Sequence, residues 1–462
     1  MSLDKKEEEW DKISEEVSPV INYQNCSWQK TAGLLFSEYI CLAIMSFPWS
    51  YSVLGLVPGL ILTVGISLTC LYTGCIITDY CITYPGITSV CDVGQHIFWN
   101  SRFVWYATAV MFICNNTLIS ALHVLVGAKY FSTITDNFDG GKIYVCQIAF
   151  AVLSGFICFL FSLPRTFSSM SAVAYVSAGT MFVAVVLSMA FAGVQSHPAG
   201  YDGTPVEWNL WPAKGTTFVQ GMSAMLNIVY TFVGQITYPS FISQMKKPKE
   251  FKKALWVVTL CELITFALAG SVVYVYVGNK YMTAPAFGSL VGNYKKIAYS
   301  FALPTILFLG SLYSNVTSQW IFLMIFREGN KNREDHTVLG WSVWIGLNAF
   351  IWVIAFVIAE VIPFFSDLLS LMSSLFDCWF GFVFWGVAFF RLRKHQYPKT
   401  GFWQLFKEAD WLTKIEFFIN IVLIVMGIYI MGPGLYAVVQ SIILSYQSGA
   451  YGHPFECTPS VV

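Results

Sequence analysis

Charge is what this chain has least of. Of its 462 residues 11% are charged, 26 lysines and arginines balancing 26 aspartates and glutamates, while 56% are hydrophobic and the mean hydropathy is +0.61. A soluble domain carries about 25% charged residues, so the composition excludes one and indicates an all-α polytopic membrane protein. A net charge of zero leaves no basic excess to neutralise phosphates, which argues against a nucleic-acid partner. Residues 1–30 mix acidic and basic side chains without an apolar core. They are expected to form a disordered cytoplasmic tail, not a secretory signal. No HExxH, nucleotide loop or Ser-His-Asp set appears, so no enzyme is expected. Most of the twelve cysteines sit in apolar runs, where the thiol acts as a small hydrophobe. The spacing of Cys70, Cys75 and Cys81 matches no zinc pattern, so no metal or other cofactor is expected. Only Cys146 and Cys457 fall near an oxidising face; with no geometry to bring them together, they are expected to stay unpaired.

What is present is a series of long apolar stretches. About 20 apolar residues cross a hydrocarbon core of about 30 Å, and eleven stretches qualify: 32–56, 57–82, 103–127, 143–163, 169–194, 216–244, 254–277, 297–326, 337–359, 362–390 and 415–440. They define a transmembrane domain over 31–440 followed by a short extracytoplasmic tail, 441–462. Lysine and arginine are retained on the cytoplasmic side. With the N-terminus inside, the basic runs Lys246 to Lys253 and Arg391 to Lys414 are cytoplasmic, and the outer segments keep only Lys129, Lys142, Lys214, Lys280, Lys295 and Lys296. An odd number of spans then puts the C-terminus outside. Under this topology none of the N-x-S/T matches at Asn25, Asn115 and Asn315 is expected to be glycosylated. Trp99, Trp208, Trp211 and Trp411 lie near span ends or in loops, as interfacial anchors do. The short outer stretch 284–292 is too brief to cross; it reads equally as a re-entrant lid or an interfacial loop.

Two spans are interrupted, five apart. The first carries Pro48, the sixth Gly234 and Pro239. Proline removes a backbone donor and clashes with the preceding turn, so in lipid the freed groups must face protein, water or a ligand. Paired interruptions in two halves point to a transporter binding site. The first break is expected at Cys41, Leu42, Ala43, Ile44 and Met45, where free amides would receive a carboxylate. The second is expected at Thr231 to Gln235, where carbonyls of Tyr230, Thr231, Phe232 and Val233 would receive an ammonium. Gly234 allows positive φ and close approach of a ligand to the backbone. Gln235, Asn116 of the third span and Ser314 of the eighth complete the expected substrate contacts. The bland alternative at each break is a kink without a ligand.

The strings FVGQITYPSFISQMKKPKEFKKAL (232–255) and AIMSFPWSYSVLGLVPGLI (43–61) resemble the sixth and first spans of the amino acid/auxin permease family. The likeness covers about 30–440 and is greatest to fungal neutral amino acid permeases of the methyltryptophan-resistance type. The resemblance implies a LeuT-like fold of two inverted five-span repeats plus one helix, and proton- or sodium-coupled uptake of amino acids. Ala43 stands where many members carry glycine, Gln235 where many carry histidine and Gln244 where glutamate is usual, departures that bear on the coupling ion and substrate range.

Ionisable residues within spans are costly and mark function by default. Glu38 in the first span, His123 in the third, Glu262 in the seventh and Asp377 in the tenth are the candidates for ion coupling, since a carboxyl or imidazole withdrawn from water can exchange protons near neutral pH. A structural residue hydrogen-bonded across helices is the competing reading. The eighth span places Ser311, Ser314, Asn315, Thr317 and Ser318 in close order, a sodium site or small-residue packing. No lysine or arginine falls within the expected cavity, which leaves an anionic substrate without a partner. The reading is therefore a monomeric transporter of neutral amino acids, aliphatic or aromatic, driven by protons or alternatively sodium, in the plasma or vacuolar membrane. An amino acid sensor with the same broken-helix site is the rival from another class.

Overall fold

The computed structural model describes residues 26–136, 138–139, 142–143, 145–165, 170–327, 330–397, 406–407, 410–447, 454–455 and 457. The expected tail over 1–25 lies outside the described residues. From Cys26 onward the chain already belongs to the fold: Cys26 bridges to Met245, and Ser27 caps α1 (Trp28–Tyr39). The expected boundary at residue 30 is thus a few residues late. A short 3-10 turn, Leu42–Ser46, joins α1 to α2 (Phe47–Leu54), whose first turn accepts Pro48 because the missing N–H is one of the unpaired four. α3 (Leu56–Thr83) follows, then α4 (Val90–Ile97), a short, largely buried helix absent from the sequence reading and fixed by a capping box between Ser89 and Asp92. The remaining elements are α5 (Arg102–Ile134), α6 (Gln147–Phe161), α7 (Met170–Val194), α8 (Phe218–Phe232), α9 (Tyr238–Ser243), α10 (Phe251–Val277), α11 (Gly292–Ile325), α12 (Lys331–Glu334), α13 (Val338–Val361), α14 (Phe365–Gln396) and α15 (Trp411–Gln447). Among the described residues the only strands are the two-residue pair Phe138–Asp139 and Lys142–Ile143.

Eight of these helices are long and apolar enough to cross a membrane, and nine spans result if α1 and the bent segment Leu42–Leu54 count as one. The protein is therefore an integral membrane protein. Two expected stretches fail that test. α6 has 15 residues, about 22 Å at 1.5 Å per residue, and α8 ends at a break after Phe232. Large apolar side chains such as Phe103, Phe350 and Phe418 face outward, as lipid contact requires. α5 packs on α11, α13 and α6 in one group of helices; α2, α3, α8 and α10 pack together in another. α15 continues to Gln447, beyond the expected end of the last span.

The joint between the first two spans is held from outside the bundle. Gly55 has φ +82°, and a Cβ there would come within 2.5 Å of the Trp211 backbone. The amides of Leu56 and Val57 donate to the carbonyls of Asn209 and Leu210. Gly55→Ala is expected to cost about 1–3 kcal/mol, read as a lower apparent Tm of the detergent-solubilised protein; an unchanged Tm would mean the 209–211 backbone moves aside freely.

Contacts between loops sort into two sets. In one, Cys26 pairs with the Gln244–Lys246 backbone, Lys252 lies 2.7 Å from Asp79, Ser240 donates to the Thr88 carbonyl, Arg391 to Ile97 and Arg165 to Asn332. In the other, Lys280 meets Asp202, Lys296 meets Asp136, Gln195 bonds to Ser289 and Val291, and Tyr446 donates to Val361. A disulfide between Cys146 and Cys457 belongs to the second set. The expectation that these cysteines stay unpaired is corrected: 311 residues separate them in sequence, but folding brings their Cα atoms to 5.0 Å, within bridging range. The 284–292 stretch folds as a 3-10 turn, Ala286–Ser289, buried beside Leu42–Ser46 rather than lying at an interface.

Candidate functional site

Each break leaves backbone groups without partners. α1 stops at Tyr39, and Cys41 is extended at φ −121°, ψ 178°. Ser46 donates to the Ala43 carbonyl at 2.7 Å, a local bond that competes with helix. Among the described residues no backbone carbonyl accepts from the Leu42 or Ala43 amide, and the Ala43 amide turns to the Cys41 thiol instead, which leaves Leu42 as the amide without a partner. In the sixth stretch Val233 turns to φ −91°, ψ 93°. Among the described residues no backbone amide donates to the carbonyls of Thr231, Phe232 or Val233, and no backbone carbonyl accepts from the amides of Gly234, Gln235 or Ile236. The Tyr230 carbonyl is taken by the Val233 amide at 3.4 Å. The helix resumes at Tyr238 with Pro239 in its first turn. Both breaks thus fall within about two residues of their expected places.

The breaks lie side by side. Glu38 ties them together: Tyr313 of α11 donates to Oε1 at 3.0 Å, and Thr237 lies 3.1 Å from Oε2. One residue on, the hydroxyls of Tyr39 and Tyr238 meet at 2.5 Å. Between the breaks is a cavity of about 60 Å³, room for several waters or a compact zwitterionic head, since one water occupies roughly 10–15 Å³ on this measure. Its walls come from five elements. The first break supplies Glu38, Tyr39 and Cys41; the second supplies Tyr230, Thr231, Val233, Gly234 and Ile236; α5 adds Asn115 and Ile119, α11 adds Tyr313, and α14 adds Asp377 and Phe380. Asp377 lies in a π-helical stretch, Ser373–Val383, and its Oδ2 is buried without a partner. Such a stretch widens one turn and redirects a side chain, and is frequent at functional sites.

The expected residues divide. Glu38, Cys41, Tyr230, Thr231, Val233, Gly234 and Asp377 line this one cavity. Leu42, Ala43, Ile44 and Met45 are buried within the first break and do not line the cavity, and Phe232 packs edge-on against Phe47 and tilted against Phe266. Gln235 donates to Thr73 of α3 at 3.1 Å, leaving its Oε1 unpartnered. Asn116 donates to Thr317 at 3.0 Å and Ser314 to Asn348 at 3.3 Å, contacts that join helices. The neighbour Asn115 faces the cavity instead. His123 Nδ1 is 2.9 Å from the Ile306 carbonyl, a structural bond between α5 and α11. Glu262 is buried on α10 with one oxygen unpartnered, outside the cavity lining. Gly234 does not take positive φ. Its hydrogen is needed because a Cβ would sit 2.3 Å from the Tyr39 hydroxyl oxygen. The sequence reading missed Tyr39, Tyr313, Ile119, Ile236 and Phe380; the i,i+4 pair Asn115 and Ile119 and the i,i+3 pair Asp377 and Phe380 were available as a face signal.

A protein-family description, "Transmembrane amino acid transporter protein", matches residues 24–431. The N amino acid transport system protein of Neurospora crassa is 32% identical over 437 residues, covering 95% of this chain and 89% of that protein. Transmembrane transporters of Fusarium pseudograminearum and Gibberella moniliformis are 24% and 25% identical, each covering 95% of this chain and 88% of the relative. The matched region contains both breaks and every residue of the cavity between them, and the chain belongs to the transmembrane amino acid transporter family.

Proposed function

We propose that the protein is a secondary active transporter carrying neutral amino acids, aliphatic or aromatic, by proton symport. The observation that carries this reading is Glu38, a carboxyl placed between two helix breaks whose free carbonyls suit an ammonium and whose free amides suit a carboxylate. The Thr237 hydroxyl has one hydrogen, yet it lies 2.9 Å from the Gly234 carbonyl and 3.1 Å from Glu38. A protonated Glu38 donates to Thr237 while Thr237 donates to Gly234, so both contacts are satisfied in one protonation state and compete in the other. Sodium coupling is the second reading, and it needs free oxygen ligands. In α11 the Ser311 hydroxyl donates to the Cys158 and Leu307 carbonyls, Ser314 to Asn348 and Thr317 to the Tyr313 carbonyl, which leaves lone pairs on these oxygens, and Ser318 Oγ is buried without a partner among the described residues; the preference for protons rests on Glu38 and Thr237, and not on this row. Uptake of radiolabelled leucine into proteoliposomes, at two outer pH values with and without sodium, tests it. Accumulation that rises as outer pH falls is expected; binding without accumulation would make the protein a sensor.

The same reading includes eleven spans, with α6 and the pair α8–α9 counted, and a LeuT-like 5+5 arrangement. Spans one to four pack on spans six to nine respectively, through α2 on α8, α3 on α10, α5 on α11 and α6 on α13, which supports the repeat. The two sets of loop contacts support eleven crossings with the N-terminus cytoplasmic and the C-terminus outside, and the disulfide belongs to the set read as outer. Hydrogen bonds from Lys280, Tyr281 and Thr204 hold the Asp202 carboxyl well below the usual range. What that latch contributes is present above the ordinary carboxylate value and lost only as pH falls through the lowered one, so an acidic outer face leaves it charged. The plasma membrane is the proposed location, with a single chain sufficient. A tag after Val462 is expected to be labelled on intact cells and one before Met1 only after permeabilisation, while an impermeant reductant should open Cys146–Cys457 from outside. Labelling of both ends from one side would require an even span number.

A further inference from the structure

Glu38 has both carboxylate oxygens engaged. Asp377, which lines the same cavity, is less fully engaged: the residue is 5% exposed, the Ser373 hydroxyl one turn earlier is the side chain turned toward its carboxyl, and among the described residues no group lies within hydrogen-bond distance of Oδ2. Among the described residues no lysine, arginine or histidine lines the cavity to pair with it. A buried acceptor of this kind is costly unless something arrives to satisfy it. The free carbonyls of Thr231 to Val233 already provide for an α-ammonium group, which leaves Asp377, on a different helix that lines the same cavity, for the part of a substrate beyond its head group. An aliphatic side chain placed there would seal the carboxylate away from water with no partner. A side chain ending in N–H would complete it.

We propose that Asp377 is a specificity-determining residue, selecting amino acids whose side chains end in N–H donors over apolar ones of the same length. The neutral amides are the class that keeps the substrate uncharged overall. This inference rests on the reading of the protein as an amino acid transporter, and it replaces the aliphatic preference within that reading by one for donors. The geometry also explains the π-helical stretch: it turns the Asp377 carboxylate into the cavity, with Phe380 one turn later supplying an apolar wall.

The test compares glutamine with methionine, which have similar length, as competitors of radiolabelled glutamine in proteoliposomes. Ligand-induced thermal stabilisation of the detergent-solubilised protein reads the same ratio without transport. In the parent, glutamine is expected to compete better. Asp377→Leu should shift the glutamine-to-methionine ratio several-fold toward methionine, about the loss typical of one hydrogen bond. Asp377→Asn, which keeps an acceptor oxygen without charge, should shift the ratio the same way by less and serves where the leucine variant does not fold. An unchanged ratio in both variants overturns the proposal. Loss of the pH response for both substrates in Asp377→Asn also overturns it, assigning Asp377 to coupling. A parent that is stabilised by glutamine but accumulates nothing would instead remove the transport reading and leave the selectivity intact.

Discussion

Replacing Glu38 by glutamine is expected to leave substrate exchange across the membrane within a few-fold of the parent and to abolish accumulation driven by pH. With one proton per substrate, one pH unit supports about a ten-fold concentration ratio, since each unit is worth about 1.4 kcal/mol. The parent should therefore concentrate substrate about ten-fold at a one-unit gradient, and the variant about one-fold whatever the outer pH. Glutamine can donate to Thr237 through its amide and accept from Tyr313 through its oxygen, reproducing the protonated carboxyl at both contacts. A bound proton biases the two faces only through different affinities in the two states, and a residue that bridges both helix breaks is placed to make that difference. If the variant still concentrates substrate in response to acid, Glu38 is structural and the search passes to Glu262 and Asp377. His123 is the weaker candidate, because its Nδ1 is engaged by the Ile306 carbonyl. Sodium-dependent uptake in the parent would remove the proton reading altogether.

Gly234→Leu is expected to reduce uptake to background while the protein remains folded in the membrane, with an unchanged elution profile in detergent. The first atom added at Cα would overlap the Tyr39 hydroxyl, and the rest of the leucine would enter the cavity. Tyr39 cannot retreat freely, being buried and joined to Tyr238. Displacing that pair moves the first break relative to the second. A misplacement of about 1 Å at a reacting or binding centre costs on the order of 100-fold. Gly234→Ala tests the same overlap with a single carbon and should lie between parent and leucine variant. Uptake at the parental rate in Gly234→Leu would move the site away from the second break.

The class of fold was legible because apolar runs and charge scarcity are local properties. The breaks were legible because Pro48, Gly234 and Pro239 act on their own turns. The cavity was only half legible. Glu38 and Asp377 could be named as costly charges, but nothing in their neighbourhoods says that Tyr313 and Thr237, 275 and 199 residues from Glu38, would be its partners. The choice between Asn115 and Asn116 depends on the rotation of α5, which is set by α11 and α13 and not by the helix itself. The role of Gly234 was misassigned for a similar reason: its neighbours suggested a backbone conformation, whereas the constraint comes from a side chain on another helix. The disulfide, set by contacts 311 residues apart, had no local signal at all.

That disulfide has a consequence for how the molecule responds to cutting. It closes a covalent ring between two cysteines 311 positions apart, Cys146 and Cys457, with every helix from α6 to α15 inside the ring and α1 to α5 outside it. A protease that nicks the 195–217 segment once would open the polypeptide without releasing a fragment, and the nicked chain would keep its full mass on a gel until a reductant was added. Damage within the ring is thereby converted from loss of a piece into a ring opened at one point, with both ends still anchored to the bundle.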